Sequence, residues 1–259
     1  MGAGPDGEAG VVTVRVERRD RVLVVTIDRP QVHNCVDAPT AQALEDAVRA
    51  FDADDGQRVL VLTGAGGRAF CSGADLKAAD GLTARPGAAS SGPMGISRIE
   101  VSKPTIAAVS GHCLAGGLEL ACWCDVRIAD ETATFGVVNR RWGVPLIDGG
   151  TQRLPRIVGL GNALYLIETG AVIDAASALR MGLVQEVVPQ GAALDRALEL
   201  AERIAGYPQA SLVADRASAL AGDGPEAEAA RGEATLTAPE LSEGLERYRT
   251  GDRPPPPRP

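Results

Sequence analysis

The stretch HCLAGGLELAC (residues 112–122) sets two adjacent glycines, Gly116 and Gly117, and a single acid, Glu119, among otherwise apolar residues. It follows the run TIAAV (105–109), whose length and apolar content predict a buried strand. Residues after Gly117 are helical in pattern, so the glycines mark a strand-to-helix junction. Glycine at such a step lets the backbone approach a ligand closely. The unpaired N–H groups of a helix's first turn, together with its dipole, favour negative charge there. A carboxyl group between Leu118, Leu120 and Ala121 gains little from burial, which points to a functional Glu119. The plainer alternative is a first-turn glutamate that complements the helix dipole.

A second stretch, VLVLTGAGGRAFCSGADL (59–76), has the same order: apolar strand, glycine, loop with a cysteine, then a small-residue step. Two such termini converging on one point would make a backbone site for an oxyanion. Other anion-binding designs fit poorly. Gly111 and Gly116 have the glycine spacing of a phosphate loop, but Gly117 and Leu118 stand where lysine and serine or threonine belong. No GxGxxG follows the first strand, and no GxSxG elbow is present. An oxygen that becomes negative during reaction, such as a thioester carbonyl turning into an enolate, is what remains.

Composition narrows the field. The 259 residues carry a net charge of −8, with three Phe and three Tyr, so nucleic-acid binding is not expected. No apolar run is long enough for a membrane span. An odd number of cysteines (35, 71, 113, 122 and 124) without a CxxC pair points to reduced thiols and a cytoplasmic setting. With two histidines, no four-ligand metal set has standard spacing, and no metal is expected.

Along the chain, 11–17 and 21–28 read as a hairpin, Pro39 opens an amphipathic helix, and 58–64 is a buried strand. A helix start is expected near Asp75. Residues 81–95 are small and polar and predict a mobile surface loop, followed by a short helix before TIAAV. DVRIAD (125–130) and ATFG (133–136) are short strands. From 149 to about 190 the pattern is mostly helical, interrupted by LVQEVVP. Three helical segments then follow, at 191–206, 208–222 and about 226–248. This order predicts an α/β core with a helical appendage. The expected division is a disordered leader at 1–10, a core at 11–205, a helical region at 206–250 and a disordered Pro-rich tail at 251–259.

Several motifs together resemble the enoyl-CoA hydratase/isomerase (crotonase) superfamily. They are FCSGADL (70–76), SGHCLAGGLELA (110–121), CDVRIAD (124–130), GGTQRLPRIVG (149–159) and LRMGLVQEVVP (179–189), in the family's order. Asp28-Arg29-Pro30 and Asn34 fit as well. The resemblance implies a crotonase-like spiral of repeated ββα units with a C-terminal helical trimerisation region. It also implies a homotrimer or dimer of trimers, an acyl-CoA thioester substrate, and no cofactor beyond coenzyme A as part of that substrate.

By the same resemblance, the oxyanion hole falls to the backbone N–H groups of Ala74 and Gly116. Contacts to substrate or CoA fall to Ser72, Gly73, Asp75, Lys77, Val32 and Gly117, with Trp142 as a wall of the acyl pocket. Lys77 reads equally well as a solvated surface charge. Glu119 matches the first of the hydratase's two catalytic glutamates. Asn139 stands where the second is expected. Asparagine can orient a water but cannot exchange a proton at neutral pH. Asp148, nine residues on, is either a helix N-cap or a second acid/base group, as in the family's dienoyl-CoA isomerase and dehalogenase branches. The expected activity is enoyl-CoA hydration with Glu119 as principal acid/base and Asp148 or Asn139 assisting. The alternatives are an enoyl- or dienoyl-CoA isomerase using Glu119 and Asp148, and a catalytically idle acyl-CoA binding protein.

Overall fold

A computed structural model of the chain describes residues 12–252. The leader expected at 1–10 and most of the Pro-rich tail lie outside the described residues. The chain opens with a hairpin of β1 (Val14–Arg19) and β2 (Val22–Ile27), paired antiparallel across a turn in which Asp20 takes a positive φ. Helix α1 (Ala38–Ala53) follows; Asp37 caps it by accepting from the Thr40 amide at 3.0 Å, and Pro39 sits in the first turn, where a missing N–H is harmless.

From there the chain winds as a spiral. Strand β3 (Val59–Gly64) is followed by β4 (Ala69–Cys71), then by two short helices, α2 (Ala79–Ala84) and α3 (Ala88–Ser91). Strand β5 (Thr105–Val109) leads to β6 (His112–Leu114) and helix α4 (Gly116–Trp123). Strand β7 (Val126–Asp130) leads to β8 (Thr134–Gly136) and the helices α5 (Gly150–Val158) and α6 (Leu160–Thr169). Strand β9 (Val172–Asp174), helix α7 (Ala175–Arg180) and strand β10 (Glu186–Val188) complete the sheets. Each turn thus gives one strand to a six-stranded sheet, β1-β2-β3-β5-β7-β10, and a shorter one to a four-stranded sheet, β4-β6-β8-β9. From β2 onward the larger sheet is parallel, and β9 runs antiparallel to β8.

The inner strands β2, β3 and β5 of the larger sheet are covered on both faces, which is why they read as continuous apolar runs. Val22, Val24, Val59, Val61, Ile106 and Ile128 pack beneath α8 (Ala193–Ala205) with Ala197 and Ala201. The alternate residues, Leu23, Val25, Leu60, Leu62, Ala107 and Val109, point to the inner core with Phe70, Cys113, Leu120 and Phe135. Beyond α8, helices α9 (Gln209–Ala221), α10 (Pro225–Thr235) and α11 (Pro239–Thr250) contain no buried residue. The single helix expected at 226–248 is in fact two, because Pro239 cannot continue α10. Strand β9 lies inside a region read as helical. Near Asp75 only a short 3-10 turn (Leu76–Ala78) forms.

The largest departure concerns residues 81–95. These do not form a mobile surface loop: Leu82, Arg85 and Ala88 are buried, as is every residue from Ser91 to Ser97. The short helix expected after residue 95 does not form; the last helical turn before β5 is α3, inside the segment read as a loop. Polarity misleads because most of the buried polar groups are paired, Arg85 Nε being without a partner among the described residues. Arg85 Nη1 meets Glu45 Oε2 of α1 at 2.5 Å, and Arg85 Nη2 donates to Ser91 Oγ at 2.7 Å and the Gly92 carbonyl at 2.9 Å. Burial works against the Glu45 charge, but bonds from Arg85, Ser91 and Arg49 outweigh it and hold the pKa below its ordinary value. Removing Arg85 takes away the buried cation of the pair and leaves Glu45 with Ser91 and the half-exposed Arg49. Arg85→Met should therefore lower the unfolding free energy by about 3–5 kcal/mol, measured by urea denaturation. A loss under about 1 kcal/mol would be the value of a solvated pair instead.

Candidate active site

The two glycine loops meet. Gly117 packs so closely on the β4 loop that a Cβ there would stand 1.9 Å from the Cys71 carbonyl oxygen. A Cβ on Gly73, whose φ is +97°, would come within 3.0 Å of the Gly116 nitrogen. Only glycine permits these approaches. Ala115, just before α4, takes a φ of 51° with ψ of −122°, a strained conformation for a residue with a side chain. Its N–H is anchored on the Gly136 carbonyl at 2.8 Å, and this bend turns the start of α4 towards the SGAD loop.

Ala74 bridges Val36 in parallel fashion: Val36 donates to the Gly73 carbonyl at 2.9 Å and accepts from the Asp75 N–H at 2.8 Å. In that pattern the N–H of Ala74 itself points away from Val36. As the first residue of α4, Gly116 has no carbonyl a turn earlier within the helix. Among the described residues, neither N–H is given to a backbone carbonyl.

Both residues line a cavity of about 220 Å³ with Ser72, Met94, Glu119, Asn139, Trp142 and Asp148. Leu82, Pro93, Val144 and Ile147 make most of the remaining wall apolar. Of the residues singled out in the sequence, Ser72, Ala74, Gly116, Glu119, Asn139, Trp142 and Asp148 come together here. Val32, Gly73, Asp75, Lys77 and Gly117 do not line this cavity. Asp75 pairs with Arg29 at 3.1 Å, which also holds Asp37 at 2.9 Å. Lys77 is exposed on the 3-10 turn. Trp142 is 72% exposed, at the mouth.

Glu119 is 3% exposed. Its Oε1 accepts from two backbone amides, Asp148 at 2.9 Å and Gly150 at 2.8 Å, the latter the first residue of α5. A Cβ on Gly150 would sit 2.8 Å from Glu119 Cγ, so the carboxyl seats directly on the helix terminus. Burial is the main force on its proton affinity and raises the pKa to about 7, helped by the neighbouring Asp148 charge. The two amide bonds and Arg153 oppose that rise. A carboxyl poised near neutrality can both take and give a proton.

Asp148 is also buried, 4% exposed, and its Oδ1 accepts from the Met94 N–H at 3.0 Å and from Ser97 Oγ. It is not the N-cap of α5: that position belongs to Gly149, which has no side chain to cap with. Burial lifts its pKa above the ordinary value, against the pull of Ser97, Met94, Arg98 and Arg153. Arg153 reinforces the same junction, donating to the carbonyls of Asp148 at 3.1 Å and Ser97 at 2.7 Å. Met94, Pro93, Leu82 and the Ser97 anchor escaped the sequence reading. The one available signal was Arg85, a charge in a small-residue segment that proves to need a buried partner.

Four of the five free cysteines are buried, and burial raises the thiols of Cys71 and Cys122 to about 12 and about 11, which makes them poor nucleophiles. Among the described residues, no group of three or more His, Cys, Asp or Glu side chains could hold a metal. No described helix is long and apolar enough to cross a membrane.

Comparison with known proteins agrees with this geometry. A family profile described as enoyl-CoA hydratase/isomerase matches residues 17–238. A probable enoyl-CoA hydratase of Rhizobium meliloti is 44% identical over 196 residues, which are 75% of this chain and 76% of that protein. A crotonyl-CoA hydratase of Syntrophomonas wolfei is 38% identical over 211 residues, 80% of this chain and 81% of the relative. The crystal structure of an enoyl-CoA hydratase from Mycobacterium marinum superposes with a TM-score of 0.85 at 36% identity, covering 94% of this chain and 97% of that one. With its strand-by-strand spiral, its two converging glycine loops and these relatives, the chain belongs to the enoyl-CoA hydratase/isomerase family, the crotonase superfamily.

Proposed function

We propose that the protein is an enoyl-CoA hydratase: it adds water across the double bond of a 2-enoyl-CoA thioester. The observation that carries this reading is the buried carboxyl of Glu119, its pKa raised to about 7, in a cavity also lined by two residues whose backbone N–H groups no backbone carbonyl takes among the described residues. In this reading the N–H groups of Ala74 and Gly116 hold the thioester oxygen as it gains charge. Donors of that kind are each worth about 2.7–4 kcal/mol in the transition state. Oε1 of Glu119 is occupied by its two amides, which leaves Oε2 to exchange protons. The cavity is smaller than the ~300–1,000 Å³ common for small-molecule sites. It suits the acyl and thioester end, with the bulk of CoA outside, where Ser72, Gly73, Asp75, Lys77, Val32 and Gly117 are its proposed neighbours.

A second reading, enoyl- or dienoyl-CoA isomerisation, draws on Asp148, whose carboxyl faces the same cavity as Glu119. Its Oδ1 is committed to Met94 and Ser97 much as Glu119 Oε1 is to its two amides; what favours hydration is the relatives named as hydratases. The proposed assembly is a homotrimer or a dimer of trimers, supported by the exposed apolar side chains Leu220, Leu236 and Leu245 on the C-terminal helices. A cytoplasmic location belongs to the same reading, supported by the free, buried thiols.

Turnover of a panel of 2-enoyl-CoA thioesters, with products resolved by chromatography, should show 3-hydroxyacyl-CoA formation. Double-bond migration without hydration would select the isomerase, and no turnover would select the binding protein. Because Glu119 must be ionised to accept a proton from water, kcat/KM should fall about tenfold per pH unit below about 7 and level off above it. Glu119→Gln keeps an oxygen for the two amides but cannot exchange protons, so hydration should drop by about 10²–10⁴-fold.

The same substitution has a stability signature. The folded-state pKa of Glu119, about 7, exceeds its ordinary 4.5, so its contribution is full below 4.5 and is lost as pH rises through 7. At pH 8 the buried charge therefore costs stability that glutamine does not. Thermal melts at pH 8 should find Glu119→Gln at least as stable as the parent; a clear loss would mean the charge itself supports the fold.

A further inference from the structure

Asn139 is not simply a lost carboxylate. It is 6% exposed and lies in the wall of the cavity that holds Glu119. Its Nδ2 donates to the Val144 carbonyl at 2.7 Å, while its own carbonyl accepts from the Val144 N–H at 3.3 Å. These reciprocal bonds fix the amide plane and identify which branch is nitrogen. The other branch, Oδ1, is buried without a hydrogen-bond partner among the described residues. A buried acceptor left unpaired is unfavourable, so what enters the cavity must bring a donor. The reacting end of an enoyl thioester has none: its carbonyl only accepts. Water, the second reactant, has two.

We propose that Asn139 Oδ1 holds the attacking water, and that Glu119 alone carries both proton transfers of the hydration; this rests on the hydratase reading above. The water gives one O–H to Asn139 Oδ1 as a hydrogen bond that is kept throughout. Its other proton passes to Glu119 Oε2 as the water oxygen bonds to the β-carbon. The π electrons of the double bond move towards the thioester oxygen, giving an enolate held by the N–H groups of Ala74 and Gly116. The enolate then takes the proton from Oε2 at its α-carbon, and Glu119 returns to its ionised form. One water has added as H and OH, and nothing is oxidised or reduced. Asp148, with Oδ1 tied to Met94 and Ser97, positions the Glu119 platform in this scheme and exchanges no proton.

The test compares two reactions of the full-length protein. One is hydration of crotonyl-CoA; the other is exchange of the α-proton of butyryl-CoA in deuterated water, followed by NMR, which needs Glu119 and the oxyanion site but no attacking water. Asn139→Ala should lower kcat for hydration by about 10–100-fold, with KM and the exchange rate within about threefold of the parent. Asn139→Asp keeps an acceptor at the same reach, should recover part of the lost hydration, and should add a second ionisation to the pH profile. Both variants lose the donor to the Val144 carbonyl, and Asp sets a carboxylate oxygen against it, so a purely structural role predicts Asn139→Asp at least as damaging as Asn139→Ala and a parallel fall in exchange. That result overturns the proposal, as does unchanged hydration in Asn139→Ala. A parent that exchanges the α-proton but hydrates no enoyl thioester fails the hydratase reading itself, and the inference with it.

Discussion

The site depends on one close approach: Gly117 of α4 lying against the carbonyl of Cys71, at a separation that leaves no room for a Cβ. Successive turns of the spiral meet at that point. Because they meet there, Ala74 of the SGAD loop after β4 and Gly116 at the start of α4 after β6 line the same cavity. The strain at Ala115 belongs to the same arrangement. A residue with a side chain adopts a positive φ because its N–H is pinned on Gly136 while its chain must turn into α4. The two parallel sheets supply the stiffness. Each loop leaves a strand paired in the smaller sheet, β4 on β6 and β6 on β4 and β8, so neither can retreat without unpairing a ladder.

Glu119 shows how this scaffold tunes a single group. Burial alone would push the carboxyl far from its ionised form, and full solvation would leave it too weak a base at neutral pH. The amides of Asp148 and Gly150, at the start of α5, offset part of the burial, and the result lies near neutrality. The loop that carries these amides is held from its other side by Asp148, Ser97 and Arg153. The buried 91–97 segment therefore helps hold the proposed acid/base carboxyl in place. Its own attachment, through Arg85, runs back to Glu45 of α1. A chain of polar bonds thus connects the first helix of the spiral to the proposed catalytic carboxyl.

Much of this was legible in the sequence because it rests on local pattern. Gly116, Gly117 and Glu119 stand out against apolar neighbours, and strands buried on both faces announce themselves as unbroken apolar runs. What could not be read was long-range. Residues 81–95 are small and polar, the usual signature of an exposed loop, and only the distant Glu45 makes their burial affordable. Strand β9 is three residues long and half exposed, too short to impose a period. Asp148 carried the signal of an acid ahead of a helix. The structure turns its carboxyl back onto Met94 and Ser97, partners some fifty residues earlier, rather than onto the helix that follows.

Asn139 marks the limit of reading function by matching positions. Set against the family pattern, it is a missing glutamate, and absence says only what chemistry is lost. Set in its own loop, it is a group with a donor and an acceptor that do different things. The donor closes the turn from Asn139 to Val144, which a glutamate could not do, because its carboxylate would face the Val144 carbonyl with like charge. The acceptor remains buried and, among the described residues, unpaired, on a residue that lines the cavity. A residue that both shapes the loop and offers one fixed acceptor is suited to orienting a small neutral molecule. It is unsuited to storing a proton. In the proposed scheme the proton chemistry then falls to Glu119, the cavity carboxyl whose pKa burial raises to about 7.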